Sequence, residues 1–142
     1  MHLMKHMITQ EDDMGCGAAC IAFAVNKSYQ QVVSVLGQDK ARTVGFQLKE
    51  LVDALGHYEL NYHFKHVKPN MKHLIYQDGV IVFIKRSARY PYGHYLIRHS
   101  GLWADPWFNL VTDKNIDNAV SGFRQRLPGK AQWAILPLFS LG

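Results

Sequence analysis

The chain reads as an α+β domain, with helices in its first half and an antiparallel sheet in its second. Three observations lead there. Apolar residues recur at helical spacing as far as Leu55. From Tyr58 onward, short runs rich in β-branched and aromatic residues take over. Ser100-Gly101 reads as a two-residue hairpin turn, a connection that only antiparallel strands can use. With 142 residues, 48% of them hydrophobic, the chain has the material for one core, and one domain is expected over 1–142. A helical lobe would occupy about 10–56 and a sheet lobe about 57–142.

The first helix follows Gly15, because Ala18-Ala19-Cys20-Ile21-Ala22-Phe23-Ala24-Val25 is a good buried helical run. Ser28-Tyr-Gln-Gln31 has the capping-box pattern and opens a second helix through Leu36, closed by Gly37. A third helix is expected over Phe46 to Leu55, with Gly56 as its stop. Tyr58 to Val67 alternates as a strand does, and Pro69 to Tyr76 suits a short helix begun by proline. Val80 to Lys85 is a compact buried strand. The basic, aromatic loop Arg86 to Gly93 leads into a strand at His94 to His99. Leu102 to Asp105 completes the hairpin, Thr112 to Arg124 is expected to be a helix, and Ala131 to Leu138 a last strand that Pro137 ends early.

Sixteen Lys+Arg against eleven Asp+Glu give a net charge of +5, yet no run of five basic residues occurs. A nucleic-acid arm is therefore not expected, and Lys85 to Tyr92 reads as a solvated loop placed to line a cleft. The surplus charge suits acidic substrates or solubility. The N-terminus lacks the apolar core and cleavage site of a secretory signal, and no segment approaches the ~18 apolar residues of a membrane span. The expectation is a cytoplasmic protein, or one exported without a classical signal peptide. Cys16 and Cys20 lie four apart on one helix, which disfavours a disulfide and provides too few thiols for structural zinc. Histidines pair as His2 and His6 and gather as His63, His66 and His73, but no carboxylate or cysteine completes either set, so no metal and no cofactor are expected.

The chemistry concentrates around Cys16. Gly15 and Gly17 let the backbone turn tightly beside it, and it would sit at a helix N-terminus, where free N–H groups and the dipole favour thiolate over thiol. Gln10 offers an amide donor within reach of an oxyanion forming at Cys16. With Ser100-Gly101 as the turn, Asp105 falls opposite Leu96, and His94 shares the face of Leu96. His94 and Asp105 are then diagonal neighbours, roughly 7–8 Å apart at the backbone, a gap an imidazole and a carboxylate can close. Strand parity thus selects His94 over His99 as the base, with Asp105 as the group that orients it. Asn109 is a substitute orienter that would need a chain reversal. Cys20 reads as a small core residue, and Trp103, Trp107 and Trp133 as core or cleft wall.

Gln10, the run Cys16-Gly17-Ala18-Ala19-Cys20, Gly93-His94-Tyr95 and Asp105-Pro106 together resemble the bacteriocin-processing peptidases, papain-like cysteine proteases that cut leader peptides after a double glycine. Order and spacing agree from Gln10 to Ala134, although Gly15 stands where that family usually has aspartate and the connection from histidine to aspartate is shorter. The resemblance implies a papain-like fold, with Cys16 as nucleophile, His94 as base, Asp105 as orienter, Gln10 as oxyanion donor, and a peptide or protein substrate. The familiar members are domains of membrane exporters, whereas a stand-alone domain is expected here. Two other functions use the same residues: a peptidase-like module that binds a leader or signal peptide without cutting it, and a thiol amidase or acyltransferase acting on a host protein or non-peptide amide.

Overall fold

The structure is a computed structural model that describes residues 5–138. Four helices precede the sheet: α1 (Cys16–Val25), α2 (Tyr29–Leu36), α3 (Gln38–Arg42) and α4 (Leu48–His57). Six strands follow: β1 (Tyr62–His66), β2 (Ile81–Ile84), β3 (His94–His99), β4 (Leu102–Asp105), β5 (Gly122–Arg124) and β6 (Ala131–Pro137). They form one sheet in the order β1-β6-β2-β3-β4-β5, every neighbouring pair antiparallel. The expected α+β class is therefore observed. His2 and the possibility that it pairs with His6 lie outside the described residues.

Helix α1 is buried from Gly17 to Phe23 and lies between the other helices and β3. An all-round apolar helix of this kind belongs inside a core. Ile81, Tyr95, Ile97, Ala104 and Ile135 meet it from one face of the sheet. On the opposite face Val80, Val82, Ile84, Leu96 and Trp103 pack under Tyr90 and the 3₁₀ helix Pro69–Tyr76. Residues 95 and 97 thus face the helices while 94 and 96 face away, the alternation a strand imposes.

The capping box at Ser28 forms as read from the sequence, with Ser28 Oγ accepting from the Gln31 N–H and Gln31 Oε1 accepting from the Ser28 N–H. The β3–β4 hairpin also has the expected register, Ile97 opposite Ala104 and Arg98 opposite Trp103. Its turn holds Ser100 and Gly101 at φ 50° and 78°, the left-handed geometry of a tight hairpin.

Three expectations are corrected. The helix read over 46–55 runs from Leu48 to His57: Gln47 and Glu50 cap it, Phe46 stays outside with its carbonyl accepting from Tyr95 Oη, and Gly56 lies within it. The helix instead ends at Tyr58, where Glu59 turns left-handed, so β1 starts later than Tyr58. Helix α3 was not anticipated. Thr112 to Arg124 is no helix: a 3₁₀ turn at Ile116–Asn118 is followed by β5. Side chains of Asn109, Asp113 and Asn115 bond nearby backbone there, a local competitor of helical bonding, and Val111 and Val120 face solvent rather than a core. As expected, β6 ends at Pro137, one residue short of Leu138, where the proline pairs with Tyr62.

Gly56 supports a test of this fold. A Cβ added there would meet nothing within 4 Å, and the residue is helical. Gly56→Ala is expected to raise stability by about 0.5–1 kcal/mol in urea unfolding, because alanine has fewer unfolded conformations to lose. If Gly56 instead ended the helix, the substitution would destabilise.

Candidate active site

Cys16 is the first residue of α1, and the N-cap Gly15 supplies no side chain to the helix end. The backbone N–H groups of the first turn are thereby left facing outward beside the thiol. Gly15 is required by packing: a Cβ on it would lie 1.9 Å from the Tyr29 hydroxyl. That hydroxyl donates to Asp12 Oδ2 at 2.8 Å, Gln38 Nε2 donates to the same oxygen at 3.0 Å, and Arg42 Nε lies 3.7 Å from Asp12 Oδ1. Asp12 in turn accepts the Gly15 N–H through its carbonyl, so the segment leading into Cys16 is tied to α2 and α3.

His94 opens β3. Gly93 before it holds φ 74°, and a Cβ there would strike the Phe83 ring at 2.1 Å, so glycine alone lets the loop enter the strand at this point. His94 Nε2 lies 2.6 Å from Asp105 Oδ1, and both side chains are essentially inaccessible to solvent. The expected diagonal pairing is therefore present in the structure. The Tyr90 ring stacks on the imidazole at 5.2 Å between centroids and 12° between planes. With Nε2 committed to the carboxylate, Nδ1 is the ring nitrogen left free for the Cys16 thiol. Burial opposes a charge on His94, but the Asp105 carboxylate and the Cys16 thiol overcome it and push the imidazole pKa up to about 10.

Asp105 is also fully buried, which by itself would raise its pKa. It is held below the usual carboxylate range by His94, by Arg124 Nε donating to Oδ2 at 2.7 Å, and by the Trp107 N–H donating to Oδ1 at 2.9 Å. Arg124 further donates from Nη2 to the Phe108 carbonyl and lies over the Phe108 ring. Arg124 is the residue that sequence reasoning missed, because its stretch read as a helix. The signal available was Gly122-Phe-Arg, a short segment opening on glycine, though a strand of three residues shows no periodicity to find.

Gln10 is buried, and its backbone N–H donates to the Pro106 carbonyl, which ties it to the residues just after Asp105. Its amide Nε2 donates to the carbonyls of Asp12 and Asp13 at 3.0 and 3.3 Å, while Oε1 has no protein partner. Asn109 is not part of this group: its amide bonds the Asn118 carbonyl and the Val120 N–H. His99 is also elsewhere, edge-on to Phe23, which lies seven residues, about 10 Å, along α1 from Cys16. Cys20 is fully buried, and that burial raises its thiol pKa well above the ordinary value.

Gln10, Cys16, His94 and Trp107 line one cleft of about 830 Å³, walled by the 42–48 and 86–95 segments. Three buried polar atoms of cleft-lining residues have no protein partner: Gln10 Oε1, Tyr90 Oη and Trp107 Nε1. No helix among the described residues is long and apolar enough to cross a membrane.

No protein-family model and no curated protein matches the chain. Among solved structures it is similar to the peptidase domain of Streptococcus ComA, a bi-functional ABC transporter involved in a quorum sensing pathway. The TM-score is 0.57 at 15% sequence identity, over 94% of this chain and 98% of that one. At that identity the likeness establishes the fold, helices packed on an antiparallel sheet.

The raised His94 pKa gives a pH signature. Unfolded, the imidazole titrates near its ordinary 6.5, and folded near 10. The folded state binds this proton more tightly, so the stabilisation is complete below about pH 6.5 and is lost as pH rises through 10. Melting temperature is expected to fall over that window more steeply in the parent protein than in His94→Gln. Parallel pH profiles for the two proteins would refute the coupling.

Proposed function

We propose that the chain is a cysteine peptidase, one domain over residues 1–142, with Cys16 as nucleophile, His94 as general base and acid, and Asp105 as orienter. The observation that carries this reading is the position of His94, which holds a buried carboxylate at 2.6 Å and lines one cleft with the helix-terminal thiol of Cys16. A histidine needed only for packing has no use for both partners. The likeness to a peptidase domain over nearly the whole chain supports the same reading.

The steps follow from the atoms. With the Cys16 proton held on His94 Nδ1, as the raised imidazole pKa favours, the thiolate sulfur attacks the scissile carbonyl carbon, forming the C–S bond as the carbonyl π pair moves to oxygen. The oxyanion is met by the Cys16 backbone N–H and by Gln10. The Gln10 amide nitrogen has two hydrogens and donates to the Asp12 and Asp13 carbonyls at 3.0 and 3.3 Å, so meeting the oxyanion takes one hydrogen from the longer of these bonds. Collapse of the intermediate breaks the C–N bond as His94 gives its proton to the departing amine. Water, deprotonated by the same nitrogen, then cleaves the thioester and releases the Cys16 thiolate beside the His94 imidazolium. Asp105 keeps the imidazole oriented and its cation compensated throughout, and Arg124 keeps Asp105 ionised.

The substrate is a peptide in this reading. A cleft of about 830 Å³ accommodates several residues, and the unpartnered Gln10 Oε1, Tyr90 Oη and Trp107 Nε1 match the N–H and C=O groups a peptide backbone carries. The resemblance of Gln10, Cys16-Gly17-Ala18-Ala19-Cys20, His94 and Asp105-Pro106 to leader-processing peptidases extends the proposal to cleavage after a double glycine.

Digestion of a peptide library, read by mass spectrometry, tests it. Cleavage is expected to vanish in Cys16→Ala and to fall about 10³-fold or more in His94→Ala and 10²- to 10⁴-fold in Asp105→Asn, while His99→Ala retains it. Alkylation of Cys16 by limiting iodoacetamide should slow about tenfold in His94→Ala. Full activity in His94→Ala with loss in His99→Ala would sink the assignment.

A further inference from the structure

The charges around the cleft are one-sided. Arg42 at the end of α3, Arg86 and Arg89 in the β2–β3 loop, and Lys114 in the β4–β5 connection all line it, against a single acid, Asp13. Arg86, Arg89 and Lys114 are exposed and form no ion pair among the described residues. These unpaired cations come from two separate segments, and Arg42, 3.7 Å from Asp12, stands on a third. Between them the walls carry exposed apolar side chains, Val44 at 73% and Tyr92 at 68%.

From this arrangement we infer that the cleft selects acidic peptides, in which aspartate or glutamate alternates with apolar residues around the scissile bond. The inference rests on the peptidase reading and adds the substrate class to it. One exposed ion pair is weak, but several cations converging on one concave, partly apolar surface act together and also raise the rate of encounter. The same geometry gives the sequence's net charge of +5 a specific place to act.

The test uses a short peptide with a central Gly-Gly flanked by glutamate and leucine, and a twin in which every glutamate is glutamine. Binding is measured on the Cys16→Ala protein, and cleavage separately on the parent. At low salt the glutamate peptide is expected to bind about tenfold more tightly, with the advantage nearly abolished at about 0.5 M salt and in the triple variant Arg86→Gln, Arg89→Gln, Lys114→Gln. Equal binding of the twins, binding of neither, or tighter binding of a single-stranded oligonucleotide than of the glutamate peptide overturns the inference. Cleavage of both twins with equal kcat/KM also overturns it and leaves the peptidase reading standing. Glutamate-selective binding with no cleavage of either twin does the reverse.

Discussion

A carboxylate buried without solvent is the constraint on which this structure turns. Asp105 is fully inaccessible, and an ionised carboxyl in such a place is tolerated only when its oxygens are saturated by donors and its charge is offset. The donors are His94 Nε2, Arg124 Nε and the Trp107 N–H. They come from β3, from β5 and from the turn after β4. Satisfying Asp105 therefore requires both strand pairings at once, in the registers that put His94 and Arg124 within reach. A one-residue slip of either strand would send its side chains to the opposite face and leave the carboxylate exposed to an uncompensated burial cost.

The thiol end is held by a different kind of interaction. Helix α1 is apolar on all sides, and its first turn is fixed by how closely its neighbours approach rather than by a cap. Tyr29 fills the space a side chain on residue 15 would need and donates a hydrogen bond to Asp12. Tyr95 then ties the other flank: its ring follows His94 on the strand, packs in the core with α1, and its hydroxyl donates to the Phe46 carbonyl at 3.0 Å. Cys16 and His94 are thus positioned by two independent sets of contacts that meet at the end of β3. Neither partner depends on a flexible loop for its location.

What the sequence could reveal follows from the range of the interactions involved. The β3–β4 hairpin was legible because Ser100-Gly101 sets its register locally, and once the register is known, strand parity places His94 beside Asp105. The capping box at Ser28 was legible for the same reason. Arg124 was not, because what gives it a role is a carboxylate nineteen positions earlier, joined to it through a strand too short to show alternation. Gly56 misled for a related reason. Glycine next to an apolar run reads as a stop, yet the helix continues to His57 and the left-handed turn comes at Glu59, three residues after the glycine.

The two layers of charge in the site have separate consequences. Inside, His94, Asp105 and Arg124 share one cluster, and a Cys16 proton held on His94 would place a thiolate against an imidazolium without changing the zero net charge of the four groups. Such a cluster has little field at a distance. The rim is the opposite case, since Arg86, Arg89 and Lys114 are uncompensated by ion pairing among the described residues and stand at the mouth of the cleft. In the proposed reading, long-range attraction is therefore set by residues that take no part in bond breaking, and chemistry by residues that exert little long-range pull. That separation allows the charge preference of the cleft to change through surface substitutions while the buried network remains intact.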